Sequence, residues 1–131
     1  MEGKRLHSDA DGLRPGLRVL LVEDETIIAM DAEVILQALG VSEVVCVRTV
    51  ADGLVAIDAG TFDAAILDVR LGQESSLPLA ERLAGLGVPF GYLTGYQSTA
   101  TPVEFKDRPI VSKPFTADDL AGLLRTLLAR P

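Results

Sequence analysis

Cysteine and histidine occur once each in 131 residues. A single Cys46 cannot close an intramolecular disulfide, and inside the run VVCV it reads as a buried thiol. The one histidine, His7, lies among polar residues near the start and reads as solvated; with no Cys or His cluster, a zinc site lacks donors. No apolar run approaches the ~20 residues that a membrane helix requires. The basic residues of MEGKRLHSDADGLRPG have no apolar stretch behind them, which excludes a secretory signal. A cytoplasmic protein without a membrane partner is therefore expected. Cations are in the minority too, 12 Lys and Arg against 19 Asp and Glu, for a net charge of −7. No basic stripe is present for a phosphate backbone to neutralise, so nucleic acid is excluded as a partner. The acidic balance suits a chain that meets other proteins or a cation.

The apolar fraction of 48% with 24% charged residues is that of an ordinary globular domain, and the length allows one core and not two. Residues 1–16 are polar, end in Pro15-Gly16 and are expected to be a flexible leader; residues 17–131 form the domain. Within it, short apolar runs alternate with helical patterns. The runs are Val19–Val22, Val44–Val47, Ala64–Leu67, Phe90–Leu93 and Ile110-Val111, most of them apolar at successive positions, as strands buried on both faces are. Helices are predicted over Thr26–Leu39, with Ile27, Met30, Val34 and Leu39 near one face, and over Thr49–Ala59, Leu77–Leu86 and Thr116–Ala129. Thr116 is the expected N-cap of the last, with Asp118 and Asp119 in its first turn. The stretch Gly95–Asp107 carries Pro102 among small and β-branched residues, so the fourth helix is expected to be short or irregular. Five βα units with right-handed crossovers give an α/β fold with a doubly wound five-stranded parallel sheet, and ligands bind beyond its C-terminal strand ends.

Those strand ends carry the chemistry. The first strand runs into Glu23-Asp24-Glu25, the third ends on Asp68, the fourth on Thr94 and the fifth on Lys113-Pro114. Carboxylates gathered on one edge repel one another, and a hard divalent cation with oxygen ligands relieves that repulsion. Mg²⁺ suits such a site because it takes few protein carboxylates and keeps water and phosphate oxygens. A carboxylate can also attack phosphorus to give an aspartyl phosphate, while Lys113 and the Thr94 hydroxyl supply a cation and a donor to the phosphoryl oxygens. Taken singly, Asp24 could cap the following helix, Lys113 could be a surface lysine and Asp63 belongs to the turn before strand three.

The full set in register resembles the receiver domain of response regulators in two-component signalling over residues 17–130. In that family an acidic pair follows strand one, a phosphoacceptor Asp strand three, a Thr or Ser strand four, and Lys-Pro strand five. The resemblance implies a flavodoxin-like sheet of order 2-1-3-4-5 and Asp68 as phosphoacceptor. It also implies Mg²⁺ held by Glu23, Asp24, Asp68 and the backbone carbonyl of Arg70, a cis bond before Pro114, and Thr94 and Lys113 as phosphoryl-binding residues. The donor is then a histidine kinase or a histidine phosphotransfer protein, and the output a changed protein–protein interaction; the chain is a switch and not a metabolic enzyme. The segment PFGYLTGY is similar to the motif of a single-domain subgroup whose fourth strand ends in Phe-Ala-Thr-Gly-Tyr, with Tyr92 and Leu93 replacing Phe and Ala. Many receivers carry an aromatic three residues before the lysine; here Ile110 stands in that place, which puts the usual coupling in doubt and makes Tyr96 the candidate substitute.

Other functions fit less well. A pseudo-receiver that binds partners without phosphorylation generally lacks one of the site residues, and all are present here; a phosphate sink or shuttle is a variant of the leading reading. A flavin site needs a phosphate-cradling loop where this chain has Glu-Asp-Glu, and an aspartyl phosphatase generally needs a second Asp where it has Arg70.

Overall fold

The computed structural model describes residues 15–95 and 107–129. Residues 1–14 of the expected leader, Tyr96 and nearly all of the Gly95–Asp107 stretch, and with them the expected irregular fourth helix, lie outside the described residues. Strands β1 (Arg18–Val22), β2 (Glu43–Val47), β3 (Ala64–Asp68), β4 (Phe90–Gly95) and β5 (Ile110–Lys113) form one parallel sheet of order β2-β1-β3-β4-β5. Among the described residues four helices cover it: α1 (Thr26–Ala38), α2 (Val50–Ala59), α3 (Leu77–Leu86) and α4 (Ala117–Leu128). This is the doubly wound fold and strand order expected from the sequence.

Alternate side chains of the central strands feed two cores, one on each face. Val19, Leu21, Ala64, Ile66 and Leu93 pack under α1 and α4. Leu20, Val22, Ala65, Leu67, Phe90 and Tyr92 pack under α2 and α3. Full burial of one such side chain stabilises by roughly 1.5–3 kcal/mol. A one-residue slip of β1 would send each set to the wrong layer, so both cores fix the register that aligns the strand ends. The edge strands behave differently from the expectation of two-sided burial: β2 is half-buried along most of its length, and Ile110 and Ser112 of β5 are exposed. An edge strand has one neighbour and incomplete helix cover.

Helix α1 also departs from the face expected for it. Ile27, Met30 and Val34 are exposed, while Ala29, Ala32 and Leu36 face the sheet. Both sets repeat at helical spacing, and the small alanines let α1 lie closer to the strands than the bulkier set would. Gly91 serves a similar end on β4. A Cβ there would stand 2.7 Å from Leu123 Cδ1 and 3.0 Å from the Pro109 carbonyl oxygen. Helix α4 starts as expected: the Thr116 hydroxyl accepts from Asp119 N–H, and the Asp119 carboxylate from Thr116 N–H. At the opposite end of the sheet from the acidic residues, Arg18 joins three elements. It donates to Glu43 and to the Thr61 carbonyl and stacks on Phe62, and its backbone N–H bonds the Asp63 carboxylate. Asp63 thus has the turn role expected of it.

Candidate functional site

Parallel strands bring Glu23, Asp24, Asp68, Thr94 and Lys113 to one edge of the sheet. Glu23 is fully buried and Asp68 nearly so. One carboxylate oxygen from each of Glu23, Asp24 and Asp68 lies within 4.8 Å of the others. Lys113 reaches across from β5, donating to Asp68 Oδ2 at 2.9 Å and to Glu23 Oε1 at 3.2 Å, with Glu25 Oε1 at 3.7 Å. The Lys113–Pro114 bond is cis. Backbone donors complete the cluster: Glu25 N–H bonds Glu23 Oε2 at 3.0 Å, and Arg70 N–H bonds Asp68 Oδ1 at 3.2 Å. Gly72 N–H bonds Asp24 Oδ2 at 2.9 Å. The last contact removes the alternative role of Asp24, since helix α1 is capped at Glu25 without any side-chain bond. The Asp24 carbonyl accepts from the Arg48 guanidinium at 3.3 Å.

Electrostatics follow from this packing. Burial, which disfavours the ionised form, pushes the Glu23 carboxyl up to about 7; the Glu25 N–H opposes it, and the Asp68 charge adds to it. Burial alone would loosen the proton on Lys113. The hydrogen bond and charge of Asp68, then those of Glu23, outweigh it and hold the ammonium above its ordinary range. The lysine therefore remains a fixed cation. Three carboxylates against one ammonium leave an excess of negative charge, and every donor atom offered is a hard oxygen. A buried acidic cluster with that donor set can coordinate a divalent metal ion, and its residues fit Mg²⁺.

The remaining expected residues are placed less decisively. Thr94 lies at the C-terminal end of β4, and its hydroxyl donates to the Gly95 carbonyl at 3.3 Å. Arg70 follows the cluster, with an exposed side chain, in the short antiparallel ribbon Arg70-Leu71/Glu74-Ser75. Ile110, on β5, pairs with Tyr92 of β4, and its side chain is exposed. Cys46 is free and only half-buried; burial, then the charge of Glu33, pushes its thiol up, which agrees with an inert group. Sequence reasoning missed three participants: Glu25, Arg48 and Gly72. Glu25 was legible in the Glu-Asp-Glu run, whereas the other two meet Asp24 only through the fold.

Comparison with known proteins bears on this geometry. No protein-family model matches the chain. SdrG from Sphingomonas melonis Fr1 is 43% identical, with a TM-score of 0.80 over 89% of this chain and 100% of that one. A response regulator receiver protein from Sinorhizobium medicae is 26% identical, with a TM-score of 0.72 over 86% of this chain and 94% of the other. The chain belongs to the receiver-domain family. This receiver domain is also 35% identical, over 83% of its length, to the transcriptional regulatory protein DltR of Streptococcus agalactiae. It spans about half the length of that relative. Receiver domains act as phosphoacceptor switches and not as metabolic enzymes, and the acidic cluster here is of the kind they use. No helix among the described residues is long and apolar enough to cross a membrane.

Proposed function

We propose that the receiver domain is a Mg²⁺-dependent phosphoacceptor switch in which Asp68 takes a phosphoryl group from the phosphohistidine of a histidine kinase or a histidine phosphotransfer protein. The observation that carries this reading is the Asp68 carboxylate, nearly buried, 2.9 Å from Lys113 Nζ and grouped with Glu23 and Asp24. Asp24, Asp68 and the Arg70 carbonyl would hold the metal, with Glu23 acting on it largely through water. When bound, Mg²⁺ would neutralise charge on the transferring phosphoryl oxygens.

The protein's own groups supply the rest. An Asp68 oxygen attacks phosphorus, the P–N bond to the donor histidine breaks, and the departing imidazole nitrogen keeps the bond pair and takes a proton. Lys113 shields the incoming charge from Glu23 and Asp68, and its three N–H donors can follow the charge onto the phosphoryl oxygens. Thr94 would donate its hydroxyl to the same group once turned away from Gly95. Such hydrogen bonds made to the transferring group lower the barrier electrostatically.

Output through protein contacts, a cytoplasmic location and membership of the Phe-Ala-Thr-Gly-Tyr subgroup belong to the same proposal. The match to SdrG over the whole of that chain supports it. A BeF3-activated conformation of SdrG is known, and the same mimic is the natural probe here. The test is incubation of parent and Asp24→Ala proteins with a small acyl phosphate, with and without Mg²⁺. Phosphorylation of the parent only with Mg²⁺, and none in folded Asp24→Ala, is expected; equal uptake by both overturns the metal assignment. No uptake by the parent from any donor leaves a phosphorylation-independent binding module instead.

A further inference from the structure

The stretch from Val69 to Ser76 closes on itself. At its base the Ser76 N–H and hydroxyl both donate to the Val69 carbonyl, at 3.0 and 3.1 Å, and the buried Leu71 side chain anchors one arm. Between them Arg70 pairs with Ser75 and Leu71 with Glu74 in an antiparallel ribbon. Gly72 opens the two-residue turn with φ +63°, and no non-glycine among the described residues, Gln73 included, has positive φ. That is the pattern of a type II′ turn, which calls for glycine at its first central position.

Two backbone donors of this ribbon are spent on the acidic cluster. Arg70 N–H holds Asp68 Oδ1 at the end of β3, and Gly72 N–H holds Asp24 Oδ2 just beyond β1. We infer that the ribbon is a positioning clamp for the divalent ion, in which the Gly72 N–H fixes the Asp24 carboxylate relative to Asp68. This rests on the metal-site reading above. An ionised carboxylate offers about four lone-pair sites, so one N–H orients Asp24 and leaves capacity for a cation. A carboxylate already held in place loses less freedom when the ion arrives, which is how preorganisation raises affinity.

Gly72 is a positioning residue that acts through Asp24, and its surroundings make the test clean. A Cβ there would meet nothing within 4 Å, so substitution alters backbone preference and not packing. Alanine resists φ +63°, whereas asparagine, whose side chain bonds locally, tolerates it. Mg²⁺ is titrated into the metal-free full chain of parent, Gly72→Ala and Gly72→Asn, followed by amide resonances. Hydrogen exchange of the residue-72 amide is measured before metal is added. Gly72→Ala is expected to bind Mg²⁺ roughly fivefold more weakly, about 1 kcal/mol at 1.4 kcal/mol per tenfold, and to lose protection at that amide. Gly72→Asn should retain both parental values. A parent that binds no Mg²⁺ overturns the metal-site reading itself. A parent that binds, with unchanged affinity in Gly72→Ala or equal weakening in both variants, overturns the clamp alone.

Discussion

Replacing Glu23 by Gln should remove a pH-dependent penalty from the metal-free protein. Glu23 is fully buried, and burial lifts its carboxyl from 4.5 to about 7. Below 4.5 the group is protonated whether the chain is folded or not, and it costs nothing. Between 4.5 and about 7 the unfolded chain gives up the proton while the folded one keeps it, so stability falls as pH rises. Above about 7 both forms are ionised and the loss is constant. A gap of about 2.5 pH units at about 1.36 kcal/mol each amounts to about 3 kcal/mol. The amide cannot ionise, but it also gives up one acceptor, weakening the bond from Lys113 or from Glu25 N–H. Such a bond to a charged group is worth about 1.5–3 kcal/mol, which can cancel the gain at any single pH. The discriminating quantity is therefore the difference between Glu23→Gln and parent as a function of pH. Urea unfolding in the presence of a chelator, followed by circular dichroism, should show it growing in favour of the variant by about 2–3 kcal/mol from about pH 5 to about pH 8. A difference that stays flat over that range refutes burial as the force acting on Glu23.

Further expectations concern the chemistry and the frame that holds it. The phosphoryl lifetime should depend on Arg70 and Tyr96, the residues two positions beyond Asp68 and Thr94, because in receiver domains the residues at these two positions flank the path of the hydrolytic water; decay after donor removal is compared in parent, Arg70→Ala and Tyr96→Ala. A several-fold acceleration needs only about 1 kcal/mol of barrier, and equal lifetimes in all three exclude such gating. Thr116→Ala should lower stability by about 1 kcal/mol through loss of the capping box, without altering phosphorylation; an unchanged denaturation midpoint contradicts this. Gly91→Ala should cost about 1–3 kcal/mol, because Leu123 and the Pro109 carbonyl leave no room for a methyl group, and thermal unfolding measures it.

The fold was legible because its central strands are apolar at successive positions, a pattern that a sheet covered on both faces requires. The acidic edge was legible for a related reason: each functional side chain directly follows such a run, so parallel pairing alone brings Glu23, Asp24, Asp68 and Lys113 together. Two kinds of feature were not. On α1, periodicity offered two apolar stripes, and only packing distance selects Ala29, Ala32 and Leu36 over Ile27, Met30 and Val34. Contacts such as Gly72 N–H to the Asp24 carboxylate and the Arg48 guanidinium to the Asp24 carbonyl each join a backbone group to a side chain far away in sequence, and no residue pattern encodes them. The edge strands were read as buried because a run of Val, Cys and Ile looks alike at the rim and at the centre of a sheet.

The central claim is that Asp68 carries the phosphoryl group. Parent protein and Asp68→Asn are treated with a cognate or small-molecule phosphodonor in Mg²⁺, and the modified residue is mapped by mass spectrometry. A base-labile phosphate on Asp68 in the parent, and none in a folded Asp68→Asn protein, is predicted, because an amide is too poor a nucleophile for phosphorus. A base-stable phosphate on Ser112 or Thr94, or undiminished labelling of Asp68→Asn, contradicts it.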